Sequence, residues 1–185
     1  MGVAYKNFWS LNTDEAVVSG ILRDETHKDI EVLMPMNAQM KGVDLVLMNV
    51  NTKKAVTIQV KGSKAFEPRK SELKKYGHGN VGWFYLDEKT ILKATAEYFI
   101  FLVYVIEEDV KIGRRTLSPH SIVIPTKELQ KLTNKHKKTH GKRFSYYFWI
   151  NPKTKEAFDI RDKHFQVSEY LDKRGYERLN KEIKN

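Results

Sequence analysis

The chain has 185 residues, with 33 Lys and Arg against 23 Asp and Glu for a formal net charge of +10, 41% hydrophobic residues and no cysteine. That length fits one domain that buries roughly 70% of the surface its unfolded form exposes, and the apolar fraction excludes a wholly disordered chain. The lack of cysteine excludes disulfides, thiolate metal sites and a cysteine nucleophile, and fits a reducing compartment.

In chain order, the first stretch, MGVAYKNFWSLNTDEAVVSG, lacks the charged start and apolar run of an export signal. Asn12, Thr13 and Asp14 offer N-caps, and Ala16, Val17, Ile21 and Leu22 recur near helical spacing, which predicts a helix from about Asp14 to Asp24. Ile30 to Met36 reads as a strand that ends near Pro35. Val43 to Val50 and Ala55 to Lys61 read as two more, joined by a turn at Asn51-Thr52-Lys53-Lys54. Phe66 to Tyr76 reads as a short charged helix, Gly77 to Asn80 as a loop, and Asp87 to Tyr98 as a helix leading into the apolar strand Phe99 to Ile106. The longest apolar run, Tyr98 to Ile106, is about half of what a membrane-spanning helix needs. Ser121 to Ile124 reads as a strand and Pro125 as the start of a helix to about His136, with Leu129 and Leu132 inward. Phe144 to Ile150 reads as a strand, and Lys163 to Ile183 as mostly helical. The expectation is a cytoplasmic α/β protein without a membrane segment. Its sheet has at least four strands, and the first three form a meander.

The charge is concentrated. Residues Lys111 to Lys155 hold twelve Lys or Arg and one acid, Glu128, a net of 12 − 1 = +11, so the rest of the chain sums to 10 − 11 = −1. Clustered cations neutralise phosphates, so this block points to a polyanion such as DNA, with a lysine-rich solvated surface as the alternative. Arg114, Arg115, Lys135, Lys137, Lys138, Lys142 and Arg143 in the block, and Lys64 outside it, are the candidate nucleic-acid contacts. His136 and His140 have a zinc-like spacing, but they sit within a run of cations, which favours phosphate contact over zinc. The aromatic run from Phe144 to Trp149 reads as a core strand, with base stacking as the alternative.

The hairpin carries the chemistry. Side chains alternate along a strand, so Val56, Ile58 and Val60 share an apolar face while Thr57, Gln59 and Lys61 share the other. With the turn near Thr52, Asp44 lies opposite Val60 to Lys61 and converges with Gln59 and Lys61 at one end of the hairpin. A carboxylate beside the run Leu45-Val46-Leu47-Met48 is costly unless it is paired or ligates a cation.

The segments Gly42-Val43-Asp44-Leu45-Val46 and Ile58-Gln59-Val60-Lys61-Gly62, after a helix bearing Glu15, resemble the PD-(D/E)XK nuclease superfamily. The resemblance covers about Thr13 to Gly62 and the later strand Phe99 to Ile106. It implies the restriction-endonuclease-like fold, with a helix, a three-stranded antiparallel meander, a helical segment and a further strand in a mixed central sheet flanked by helices. It also implies Asp44 and Gln59 as ligands of Mg2+ (or Mn2+) with help from the Val60 carbonyl, Lys61 as the catalytic lysine and Glu15 as the assisting helix acid. Gln59 stands where the family usually carries Asp or Glu, and Val43 where Pro is typical.

The expected organisation is a nuclease-like core over residues 1–110 and a basic extension over 111–185 packed on the same domain. The expected function is metal-dependent endonucleolytic cleavage of DNA, with homodimers as a way to cut both strands. The alternative is a catalytically inactive nucleic-acid-binding or partner-binding module on the same fold.

Overall fold

The computed structural model describes residues 13–35, 42–64, 66–109, 113–135, 143–161 and 164–184. Helix α1 (Thr13–Glu25) carries Asp14 and Glu15 in its first turn and Arg23 in its last, each at the end where the helix dipole favours it. It buries Val18, Ser19 and Leu22. Strands β1 (Ile30–Leu33), β2 (Leu45–Asn49) and β3 (Ala55–Gly62) then form an antiparallel meander. The β2–β3 turn is set by Asn49, whose Oδ1 accepts from the amides of Asn51 and Thr52 at 3.0 and 3.1 Å, and by Lys53 at φ 61°.

After α2 (Lys70–Tyr76), β4 (Asn80–Asp87) and α3 (Glu88–Leu92), strand β5 (Tyr98–Asp109) pairs parallel to β3, with Gln59 opposite Phe99 and Lys61 opposite Phe101. A parallel return needs a long crossover, which residues 63–97 provide. β6 (Arg114–Pro125) folds back antiparallel on β5, so the first sheet runs β1-β2-β3-β5-β6. After α4 (Thr126–Thr133), strands β7 (Arg143–Asn151), β8 (Glu156–Asp159) and β9 (Phe165–Gln166) join β4 in a second sheet, β4-β7-β8-β9. A 3-10 turn (Ser168–Tyr170) and α5 (Lys173–Lys184) close the described chain.

The molecule is a mixed α/β structure in three layers. One core lies between the first sheet and helices α1 and α5, formed by Val18, Leu22, Ile58, Val60, Ile100, Leu102, Tyr176 and Leu179 among others. The other lies between the two sheets and includes Phe84, Phe99, Phe101, Val103, Tyr146 and Phe148. β5 sits between the two and is apolar on both sides, as a strand buried on both faces must be. Among the described residues no helix is long and apolar enough to cross a membrane.

Several elements differ from expectation for local reasons. The helix expected from Phe66 begins only at Lys70, because Pro68 disfavours helical backbone at Glu67, and Phe66 instead bridges to Val81. The helix expected from Asp87 to Tyr98 is confined to α3, which Asp87 caps by accepting from the Lys89 amide at 2.9 Å. Strands β4 and β8 were not anticipated. β4, NVGWFYLD, alternates apolar with apolar and so lacks a period-two polarity signal, although its aromatic residues favour a strand. The expected C-terminal helix is divided into β9, the 3-10 turn and α5.

Candidate functional site

β3 outruns β2. The last paired residues are Leu45 and Ile58, so among the described residues nothing pairs with Gln59 to Gly62 on that side. The chain enters this gap through Gly42, whose φ of 85° is open to glycine but strained for other residues. A Cβ on Gly42 would stand 3.4 Å from Thr95 Oγ1 and 3.8 Å from Gln59 Nε2, so the segment passes over the Gln59 face.

Asp44 follows at the mouth of the gap. Its amide donates to the Ile58 carbonyl at 2.8 Å, and its Oδ2 accepts from the Val60 amide at 2.8 Å. The side chain thus extends the ladder by one bond after the backbone of β2 has ended. This register places Asp44 next to Gln59, one residue earlier than the expected Val60 to Lys61. The N–H and C=O of a strand residue point to the same side, so the Val60 carbonyl also faces the gap.

Gln59 is buried, with 7% of its surface exposed, and its Oε1 has no hydrogen-bond partner among the described residues. Such an orphan costs about 1–3 kcal/mol, which makes it a natural ligand position. Lys61 is half-buried two residues along the same face. Asp44, Gln59, Val60 and Lys61 are therefore gathered at one edge. The donor set is one carboxylate, one amide oxygen and one main-chain carbonyl. It fits a hard divalent cation that keeps several waters, such as Mg2+ or Mn2+, and lacks the sulfur or nitrogen donors of a zinc site.

The helix acids approach from the other side of the sheet. Glu15 stands three, four and seven residues before Val18, Ser19 and Leu22, so it shares their inward stripe and is half-buried at the start of α1. That stripe packs on the Ile58 and Val60 face, across the sheet from Gln59 and Lys61. Asp14 comes close to β3: a Cβ built on Gly62 would fall 1.8 Å from its Oδ2, so Gly62 is what lets the carboxylate rest there. Asp14 Oδ1 also accepts from the Tyr104 hydroxyl at 3.0 Å. Burial, aided by that carboxylate, pushes the Tyr104 pKa up and keeps the hydroxyl a neutral donor. Asp14, which the sequence offers only as a cap, is thus the helix acid that reaches the end of β3. The signal available was the small residue Gly62 just after Lys61, which leaves room for a side chain.

The described candidate phosphate contacts are spread over several elements. Arg114 and Arg115 begin β6, level with Asp109 and Glu108, at the far end of the long hairpin. Lys64 is exposed just past β3. Arg143 begins β7, and its guanidinium lies 5.1 Å over the Tyr85 ring. Lys135 follows α4, with its ammonium 5.8 Å over Phe165. Lys137, Lys138 and Lys142, like His136 and His140, lie outside the described residues. The aromatic run from Phe144 to Trp149 is mainly core, with Phe144, Tyr146, Phe148 and Trp149 all buried. No family model matches the chain, and no curated protein or solved structure does.

Proposed function

We propose that this protein is a metal-dependent endonuclease that hydrolyses DNA phosphodiester bonds on a restriction-endonuclease-like core. The observation that carries the reading is buried Gln59, level with Asp44 in the strand register, whose Oε1 has no partner among the described residues, at a sheet edge that is open among them. Asp44, Gln59 and the Val60 carbonyl would hold Mg2+ or Mn2+. When bound, such an ion polarises a phosphoryl oxygen and lowers the pKa of its water. Lys61 supplies positive charge for the developing phosphorane and orients the attacking water. Asp44 is held by the Val60 amide, so its free oxygen points in a fixed direction. Lys64 and the basic β6 and β7 termini offer backbone contacts, and a homodimer would bring two such edges to the two strands of a duplex.

A specific observation favours a second reading, a non-catalytic nucleic-acid-binding or partner-binding module. Gln59 is neutral, and one Asp44 oxygen is already committed to the backbone. The test is an assay with Mg2+ or Mn2+ on plasmid, single-stranded and branched DNA. The nuclease reading expects cleavage that falls more than about a hundredfold in Asp44→Ala and in Lys61→Ala, with melting temperatures retained. Undiminished cleavage in both variants would sink it. In parallel, millimolar Mn2+ should raise the melting temperature of the wild type but not of Asp44→Asn. No shift in the wild type favours the binding module.

A further inference from the structure

We infer that the outer face of the second sheet binds unpaired nucleotides by base stacking, at the open end formed by Phe66, Trp83 and Tyr85. The residues of β4 alternate. Gly82, Phe84 and Leu86 point toward the first sheet, and Val81, Trp83 and Tyr85 point away from it. Toward the Trp149 end the outer face is covered. Trp149 is 1% exposed, Tyr76 of α2 lies 5.8 Å from it, and a Cβ on Gly79 would fall 2.4 Å from its ring.

Toward the other end the face is partly open to solvent among the described residues. Trp83 is 50% exposed and Tyr85 38%. Their ring centroids are 6.4 Å apart, and Phe66 lies another 6.4 Å from Trp83, so three rings form a continuous ladder. A single exposed aromatic residue is ordinary, whereas a contiguous row at a sheet surface is a binding feature. Trp83 is also held in place. Its indole N–H donates to Ser145 Oγ at 2.8 Å and its amide to Ser63 Oγ at 2.8 Å. A ring fixed before binding loses little freedom when a base stacks on it.

Charge complementarity selects the occupant. The Arg143 guanidinium lies 5.1 Å from the centre of the Tyr85 ring, exposed Lys64 follows Ser63, and Tyr147, the cross-strand neighbour of Trp83, feels the charges of Glu72, Arg69 and Arg161. The acids nearby are exposed Glu67, next to Phe66, and Glu72 and Asp87, which accept from the amides of Arg69 and Lys89 at 2.7 and 2.9 Å as helix caps. Rings for bases with flanking cations for phosphates are the requirements of single-stranded recognition, and duplex bases, stacked inside, cannot use the rings. Ser63 lies two residues past Lys61, so a strand on the ladder runs up to the end of β3. The inference deepens the nuclease reading by assigning single-stranded or frayed nucleic acid as the form engaged.

The test is fluorescence anisotropy with a labelled 15-nucleotide oligo-dT and a duplex of equal length, in EDTA. Binding is thereby read without metal, and it can fail independently of the cleavage assay. The wild type should bind oligo-dT more tightly than duplex. Trp83→Ala and Tyr85→Ala should each weaken oligo-dT binding about tenfold or more, and Trp83→Phe should restore most of it. Quenching of tryptophan fluorescence by unlabelled oligo-dT should be largely lost in Trp83→Phe although binding persists. If wild type does not bind oligo-dT, or if both alanine variants bind as wild type does, the inference fails. Tyr85→Ala keeps the test decisive if Trp83→Ala does not fold.

Discussion

Each sheet carries a departure from ordinary burial at the place where a ligand is proposed. The first hides a polar side chain, Gln59, with an unpaired amide oxygen in a place where an aliphatic residue would be more stable. The second leaves Trp83 and Tyr85 in the open, where polar residues would be more soluble. Each departure costs stability or solubility locally, although Trp83 recovers part of it through its indole hydrogen bond to Ser145. On the proposed reading the labour is divided: the first sheet would hold an ion and a phosphate at a confined edge, and the second would hold flat, weakly polar groups on a broad surface.

The contrast can be tested, beginning with the largest expected effect. Trp149→Ala should lower stability by about 3–5 kcal/mol, because its ring is buried under α2, whereas Trp83→Ala should cost less than about 1.5 kcal/mol. Chemical denaturation of both variants reads the difference, and equal losses would mean that the two ends of the outer face are not distinct. Next is Gln59→Leu, a nearly volume-conserving change that removes the orphaned oxygen. It should stabilise the protein by about 1–3 kcal/mol and abolish the Mn2+-dependent melting shift. Destabilisation would show that Gln59 has a structural partner instead. Gln59→Glu should strengthen that metal-dependent shift, since it adds a carboxylate to the ligand set.

A smaller effect concerns how the C-terminal segment is attached to the first sheet. His120 Nδ1 meets Asp172 Oδ2 at 2.7 Å, and Asp172 Oδ1 accepts from the Ser121 amide at 2.7 Å. Burial alone would lower the His120 pKa, but the hydrogen bond and charge of Asp172, with Glu107 3.9 Å away, outweigh it and raise the value. The folded state holds this proton more tightly than the unfolded chain. The stabilisation is therefore complete below the ordinary histidine pKa and is lost as the pH climbs through the raised folded value. Melting temperature measured across this range should show that decline in wild type and not in His120→Gln. A decline that persists in His120→Gln would assign it to another group.

Much of the first sheet was legible in the sequence. The helix from Asp14, the β2–β3 hairpin and the strand after Tyr98 are local patterns, and α1, β2, β3 and β5 follow them. Asp44, Gln59 and Lys61 share one edge because strand alternation and turn position are themselves local rules. The second sheet was largely hidden. β4 is apolar on both faces and pairs with β7 about sixty residues later, so neither its period nor its partner could be seen locally.

The amino-acid order alone determined the alternation that puts Gln59 and Lys61 on one face, and the charge of the basic block. Only the tertiary structure decided that Asp44 bonds Val60, that Asp14 reaches Gly62, and that Arg114 and Arg143 lie on different sheets. It also decided which aromatic residues are open to solvent: those of β7 are mainly buried, whereas Trp83 and Tyr85 of β4 are exposed. The physical reason is that exposure and approach depend on what packs against a strand, and those neighbours come from distant parts of the chain.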